Sequence, residues 1–306
     1  MTAAAADALL QRAMLARGVE LHFVEQGAGP PVVLLHGGLG DCRSWEAQMR
    51  PLAEHHRVVA YSRRHSSPNR NPETPHSLER DVDDLAGLLH QLQTGPAHLV
   101  ATSYGALVAL AYALERPDHV LSLVLAEPPL HRWVCTTSAG AALYEAFLRD
   151  AWHPASAAFA RGSDRLAVQL LIDGMWGGPV FESLPPQRQA LALRNTAAMR
   201  LHTQARDPFP NLPRAAVEEL AIPSLLVRGE QSNPLHRSAV AELAGAMASA
   251  RSVVIGGAGH GSPSEQPAQF NAAVLGFLPA RAGAGAPASL AKGDDIESAS
   301  TSKGRP

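Results

Sequence analysis

Cysteine is nearly missing from this chain of 306 residues, which holds only Cys42 and Cys135. Two thiols cannot build a disulfide framework, and no CxxC or Cys/His spacing offers a structural metal site. That usage fits a reducing cytoplasm, the compartment expected for this protein. A surplus of charge is missing too. With 26 Lys and Arg against 28 Asp and Glu, the formal charge is −2. No long basic run supplies the electrostatic footprint of a partner for nucleic acid or an anionic membrane. Long apolar runs are also scarce. The N-terminal MTAAAADALLQRAM is broken by Asp7 and lacks a basic start and a clear cleavage site, so no signal peptide is expected. LVATSYGALVALAYAL contains Thr102, Ser103 and Tyr104 and is too short to span a bilayer.

What remains is a chain with 46% hydrophobic and 18% charged residues, enough for one large core and an inserted subdomain. Short β-rich runs alternate with segments of helical period, which predicts an α/β fold with a mostly parallel sheet. Strands are expected at GVELHFVEQG, PPVVLLHGG, RVVAYS, AHLVATS, VLSLVLAEPPL, IPSLLVRG and ARSVVIGGAGH. Helices are expected at RSWEAQMRPLAEHH, SLERDVDDLAGLLHQL, YGALVALAYALERP, SAVAELAGAMA and PAQFNAAVLGFL. The second of these carries Asp and Glu near its start, where the helix dipole favours them.

Residues 131–215 break the alternation. They hold helical pieces such as AALYEAFLRDAW and PPQRQALALRNTAAMRL between Gly and Pro residues, with no convincing buried strand. This reads as a helical lid inserted into a core made of residues 1–130 and 216–279. From Ala280 to Pro306 the tail is poor in apolar side chains and rich in Gly, Ala, Ser and Pro, so disorder is expected there.

Three places can carry chemistry. In Ala101-Thr102-Ser103-Tyr104-Gly105, small residues flank a serine that would sit on a strand-to-helix turn. Such a turn exposes the hydroxyl, and the helix that follows stabilises negative charge beside it. His36-Gly37-Gly38-Leu39-Gly40-Asp41 ends an earlier strand. Gly38 N–H could join Tyr104 N–H as the two donors of an oxyanion hole. The spacing is not GxGxxG, which argues against a dinucleotide site. In VVIGGAGHGSP, a loop after the last strand carries His260, placed to accept the proton of Ser103 and return it to a leaving group.

Through HGG, ATSYG, AEPPL and GAGH, in that order, the chain resembles the α/β-hydrolase superfamily over residues from about 17 to 279. The resemblance implies the α/β-hydrolase fold, an oxyanion hole and serine hydrolase chemistry. It implies no cofactor. Most relatives carry the catalytic acid in a segment like GEDDP before the final histidine strand, where this chain reads RGEQSNP and places Ser232. Two carboxylates could replace it. Glu127 follows the strand next after the nucleophile strand. Pro128 and Pro129 behind it are expected to hold it in extended backbone. Zearalenone lactonases and some haloalkane dehalogenases are similar in placing a glutamate after this earlier strand, and the lactonases likewise lack the later carboxylate. Glu230 is the alternative acid.

The reading is therefore a carboxylesterase or lactonase acting through an acyl-enzyme on a hydrophobic small molecule. Dehalogenase and epoxide hydrolase chemistry need a carboxylate nucleophile where Ser103 stands. The same constellation could instead cleave a C–C bond or an amide, or belong to a ligand-binding protein without turnover. Asp41 is expected to cap the helix at CRSWEAQM. Arg63, Arg64 and His65 are expected on a solvated loop, with the mouth of the site as the other option. Trp133, Trp152, Trp176 and Phe181 could face either the pocket or the interior of the lid.

Overall fold

The middle strands owe their position to residues that are apolar on both faces. Val32, Val33, Leu34 and Leu35 are all fully buried, as strands covered on both sides by helices require. The computed structural model describes residues 10–15 and 18–279. Its strands are β1 (Gln11–Met14), β2 (Glu20–Gln26), β3 (Pro31–Leu35), β4 (Arg57–Tyr61), β5 (Ala97–Thr102), β6 (Val120–Ala126), β7 (Ser224–Gly229) and β8 (Arg251–Ile255). They form one sheet in the order β1, β2, β4, β3, β5, β6, β7, β8. The β1–β2 and β2–β4 pairs are antiparallel, and every pair from β4 to β8 is parallel.

Alternation along the strands builds two cores. Val33, Leu35, Leu99 and Ala101 face one side of the sheet, and Val32, Leu34, Val58 and Val100 face the other. The helices outside the β6–β7 connection are α1 (Glu46–Ala53), α2 (Leu78–Gln91) and α3 (Tyr104–Glu115) before it. After β6 come α4 (His131–Val134), α5 (Ser138–Phe147), α6 (His153–Ala160), α7 (Asp164–Trp176), α8 (Pro186–Arg194), α9 (Thr196–Thr203) and α10 (Arg214–Glu218). The chain closes with α11 (Pro234–Ala246), α12 (Ser262–Glu265) and α13 (Pro267–Phe277). On the second face, Trp45 meets Phe270 of α13 with ring centroids 6.2 Å apart. Burying a ring of that kind contributes about 1.5–3 kcal/mol.

Helix α3 is buried along nearly its whole length, from Tyr104 to Ala113, which explains its apolar sequence on all faces. Gly105 lets its first turn reach the sheet. A Cβ at that position would lie 2.5 Å from the carbonyl oxygens of both Leu35 and His36. The expected strands all form, and two elements were not expected. β1 lies in the alanine-rich N-terminal stretch and is held by pairing with β2, a tertiary effect that overrides local propensity. α12 is a single turn beside the histidine loop.

Between β6 and β7 the described residues hold helices only, with a π-helical turn at Leu148–Trp152 joining α5 to α6. The boundary drawn at residue 215 falls inside α10. The expected helix across PPQRQALALRNTAAMRL breaks at Asn195, which is fully buried. Its side chain accepts a hydrogen bond from Ser67 N–H (2.8 Å) and donates one to Asp41 Oδ2 (3.0 Å). Those bonds tie the insertion to two loops of the core. The 280–306 tail lies outside the described residues. No helix among the described residues is long and apolar enough to cross a membrane.

Candidate active site

Ser103 stands between β5 and α3 with φ 52° and ψ −127°, in a left-handed region that costs a non-glycine residue about 1–3 kcal/mol. Its own N–H is anchored to Ala126 O at 2.7 Å, so the strain is held by the sheet ladder next door. The Tyr104 N–H opens α3 and has no carbonyl behind it in the helix. The glycine loop after β3 lies against the serine. A Cβ on Gly37 would sit 3.2 Å from Ser103 Cβ, and one on Gly38 would sit 2.7 Å from Met199 Sδ.

The same ladder positions Glu127, whose N–H bonds Val227 O at 3.2 Å. Expected extended backbone is absent here, because Glu127 has φ 50°, close to that of Ser103. Pairing with β7 fixes the Glu127 N–H while the chain turns back toward the insertion, and this outweighs the preference imposed by Pro128. The side chain is buried at 1% exposure. Its Oε2 lies 2.7 Å from His260 Nδ1, and His260 Nε2 lies 3.0 Å from Ser103 Oγ. A carboxylate accepts, so Nδ1 carries the proton and Nε2 is left to accept from the serine hydroxyl. The second oxygen, Oε1, accepts from Gly229 N–H at 2.8 Å and from Ser232 Oγ–H in a short bond. Ser232, in the loop after β7, thus donates to the carboxylate that bonds His260. Glu230 is exposed and accepts from Gly257 N–H at 2.8 Å. It caps a turn and makes no bond to His260.

Two rings pack against His260, and of these only Trp176 is a candidate from sequence. The His236 ring stacks on it with centroids 4.0 Å apart and 14° between planes. Trp176 meets it edge-on at 5.4 Å. Burial holds the pKa of His236 well below the usual histidine value, with His260 and His131 adding to the effect. Burial likewise lowers that of His131 to about 3. Both are therefore neutral packing partners. Glu265 fixes the loop that carries His260: Oε2 accepts from Gly259 N–H (2.6 Å) and Oε1 from Gly261 N–H (3.1 Å) and Trp176 Nε1–H (2.6 Å). Glu127, His236 and His260 each bring a donor atom within 4.8 Å of the others. Stacked rings send their in-plane lone pairs side by side, and both Glu127 oxygens are engaged, so the set does not suit a metal ion.

The loops behind the site are wired rather than solvated. His36 is fully buried, and desolvation lowers its pKa to about 3. Its Nε2 accepts from Arg63 N–H (3.0 Å), so its Nδ1–H donates to Gly37 O (2.8 Å). Arg63, expected on a solvated loop, is 5% exposed. It pairs with Asp81 at 3.2 Å, donates to Gly37 O at 3.2 Å and lies 4.7 Å over the Tyr104 ring. Arg64 pairs with Asp84 at 2.6 Å. These partners lie on α2, beyond the reach of a local reading. Asp41 caps the turn at Cys42–Trp45 as expected.

A cavity of about 780 Å³ opens on Ser103 and His260. The glycine loop forms one side, and Ile172, Met175, Trp176, Leu184 and Leu191 of the insertion form another. Trp176 is the tryptophan of the insertion that faces it. Trp133, Trp152 and Phe181 belong to the buried core.

Over 123 residues the chain is 36% identical to the 2-hydroxy-6-oxo-2,4-heptadienoate hydrolase of Pseudomonas putida, a match covering 39% of this chain and 45% of that protein. The chain thus spans less than half the length of that relative. It is 26% identical to the 2-(acetamidomethylene)succinate hydrolase of Mesorhizobium japonicum over 90% of this chain and 98% of the relative. Among solved structures, the enol-lactonase from Burkholderia xenovorans LB400 superposes with a TM-score of 0.72 at 21% identity, covering 87% of this chain and 99% of that one. Residues 32–273 match the model of the alpha/beta hydrolase family, and the chain belongs to that family.

Proposed function

We propose that the protein is a serine hydrolase that cleaves a carboxylic ester or lactone of a largely apolar small molecule. The observation that carries this reading is the continuous line of hydrogen bonds from Ser103 Oγ through His260 to Glu127. Ser103 Oγ attacks the carbonyl carbon as its proton passes to His260 Nε2, and the charge on the imidazolium is balanced by Glu127. Gly38 and Tyr104 N–H groups hold the oxyanion. His260 then protonates the departing alkoxide, which leaves an acyl-Ser103. Water, deprotonated by His260, attacks that ester and restores the serine. No cofactor enters these steps.

A second reading, hydrolysis of a C–C bond by the same residues, draws its support from the name of the Pseudomonas relative. Hydrolysis of 4-nitrophenyl esters of increasing chain length, beside labelling with a fluorophosphonate, tests the nucleophile and the apolar substrate. Ser103 is expected to be labelled and medium-chain esters to exceed acetate in kcat/KM. Failure of the probe to label Ser103 would remove the nucleophile from this proposal, and better turnover of short polar esters would remove the apolar substrate.

A further inference from the structure

Apolar and polar side chains, Glu46 among them, line the cavity together, and three arginines reach it: Arg43, Arg188 and Arg194. Two are accounted for. Arg43 is locked to Asp41 at 2.8 Å and to Ser67 Oγ at 3.0 Å. Arg194 is exposed at the rim, with its Nε–H on Ala190 O at 3.3 Å. Arg188, on α8, differs from both. Its N–H donates to Pro185 O at 2.8 Å, but among the described residues its guanidinium has no hydrogen-bond or ion-pair partner, and the residue is only partly exposed. Its surroundings disfavour the charge: burial lowers its pKa, and only Glu265 opposes that effect. The two oxygens of Glu265 are already engaged by Gly259, Gly261 and Trp176.

A guanidinium partly withdrawn from water without an anion is unfavourable, and a planar carboxylate satisfies it with two parallel hydrogen bonds. Ser103 and His260 line the same cavity, so such an anion would arrive as part of a substrate. We propose that Arg188 recognises a carboxylate on the substrate and that the preferred substrates are esters or lactones bearing a free carboxylate at the end of an apolar segment. This rests on the hydrolase reading and narrows it. The names of the two curated relatives, a heptadienoate hydrolase and a succinate hydrolase, refer to carboxylates and support it. An apolar segment would occupy the region of Leu184 and Leu191, and the carboxylate would replace water at Arg188.

The test compares two 4-nitrophenyl esters of matched length, the monoester of adipic acid and the ester of hexanoic acid, on wild type, Arg188→Met and Arg188→Lys. Wild type is expected to prefer the adipate monoester in kcat/KM. Arg188→Met is expected to lower kcat/KM for that ester about 10²-fold and so erase the preference, with Arg188→Lys between. An equal loss on both esters would make Arg188 structural and overturn the proposal, as would a wild-type preference for hexanoate. A binding readout stands apart from catalysis. Free adipate should raise the melting temperature of Ser103→Ala and fail to raise that of Ser103→Ala/Arg188→Met. Adipate binding to Ser103→Ala without ester turnover by wild type would sink the hydrolase reading and leave the Arg188 site intact. Turnover of both esters with no adipate protection of Ser103→Ala would do the reverse.

Discussion

The loop after β6 and the loop after β7 end adjacent strands, and each carries a glutamate near its start, yet the two glutamates differ in every physical respect. Glu127 is buried, bent into positive φ, and gives both oxygens to defined donors. Glu230 is exposed and caps a turn through Gly257. Between them stands Ser232, buried at 3% exposure, whose hydroxyl donates to Glu127. The carboxylate that meets the imidazole enters from the β6 end. The strand end that does not supply it can supply hydrogen-bond donors instead. Gly229 N–H and Ser232 Oγ–H both donate to Glu127 Oε1.

The widest gap between these loops should appear in activity. Glu127→Gln is expected to lose about 10³-fold or more in kcat/KM, close to Ser103→Ala, because the amide cannot balance a charged His260 and can favour the wrong tautomer. Glu230→Gln is expected to stay within about threefold of wild type, the range of an exposed turn cap. Ester kinetics with circular dichroism on the same samples checks both. A large loss in Glu230→Gln alone would return the acid to the β7 loop.

Moving the acid sharpens the contrast further. In the double variant Glu127→Gly/Ser232→Asp, the carboxylate returns to the later strand end. About 10-fold to 10²-fold of the activity lost in Glu127→Gly should reappear if orientation of His260 is what the acid contributes. No recovery, in a variant that keeps its melting temperature, would mean that the particular geometry of the β6 loop is needed. Ser232→Ala alone should cost less, about 10-fold, since Gly229 N–H still holds the same oxygen.

How far these differences could be read in advance depends on whether the cause is local. β3 and β5 are runs of apolar residues ending in glycine or serine turns, and their character is legible from neighbours in sequence. So is the placement of Ser103, His260 and Glu127 at strand ends. The positive φ of Glu127 is not, because it follows from register with Val227, a hundred residues away. The burial of Arg63 is not legible for the same reason: Asp81 and the Tyr104 ring, on other elements, enclose it. Asn195, Trp176, His236 and Glu265 act through partners on other elements. Only Glu265 lies near the motif it supports, and its position five residues beyond His260 is a signal that the loop needs an acceptor for its exposed N–H groups.

The smallest effect tests the histidines that follow the two loops. His131 comes after β6 and His236 after β7, both buried and both held neutral by desolvation. Each regains an ordinary affinity for protons when the chain unfolds. A folded value below the unfolded one means that the unfolded chain binds more protons, so stability is present above about pH 6.5 and declines as the pH falls. Each such group contributes a slope of about 1.4 kcal/mol per pH unit below that point. His236→Phe keeps a ring against His260 and removes one titration. Its stability from urea unfolding should fall less steeply than that of wild type between about pH 6 and about pH 5, by one such slope. If the two slopes coincide, His236 takes up its proton in the folded protein as readily as in the unfolded chain. In that case the stack on His260 would carry a charge.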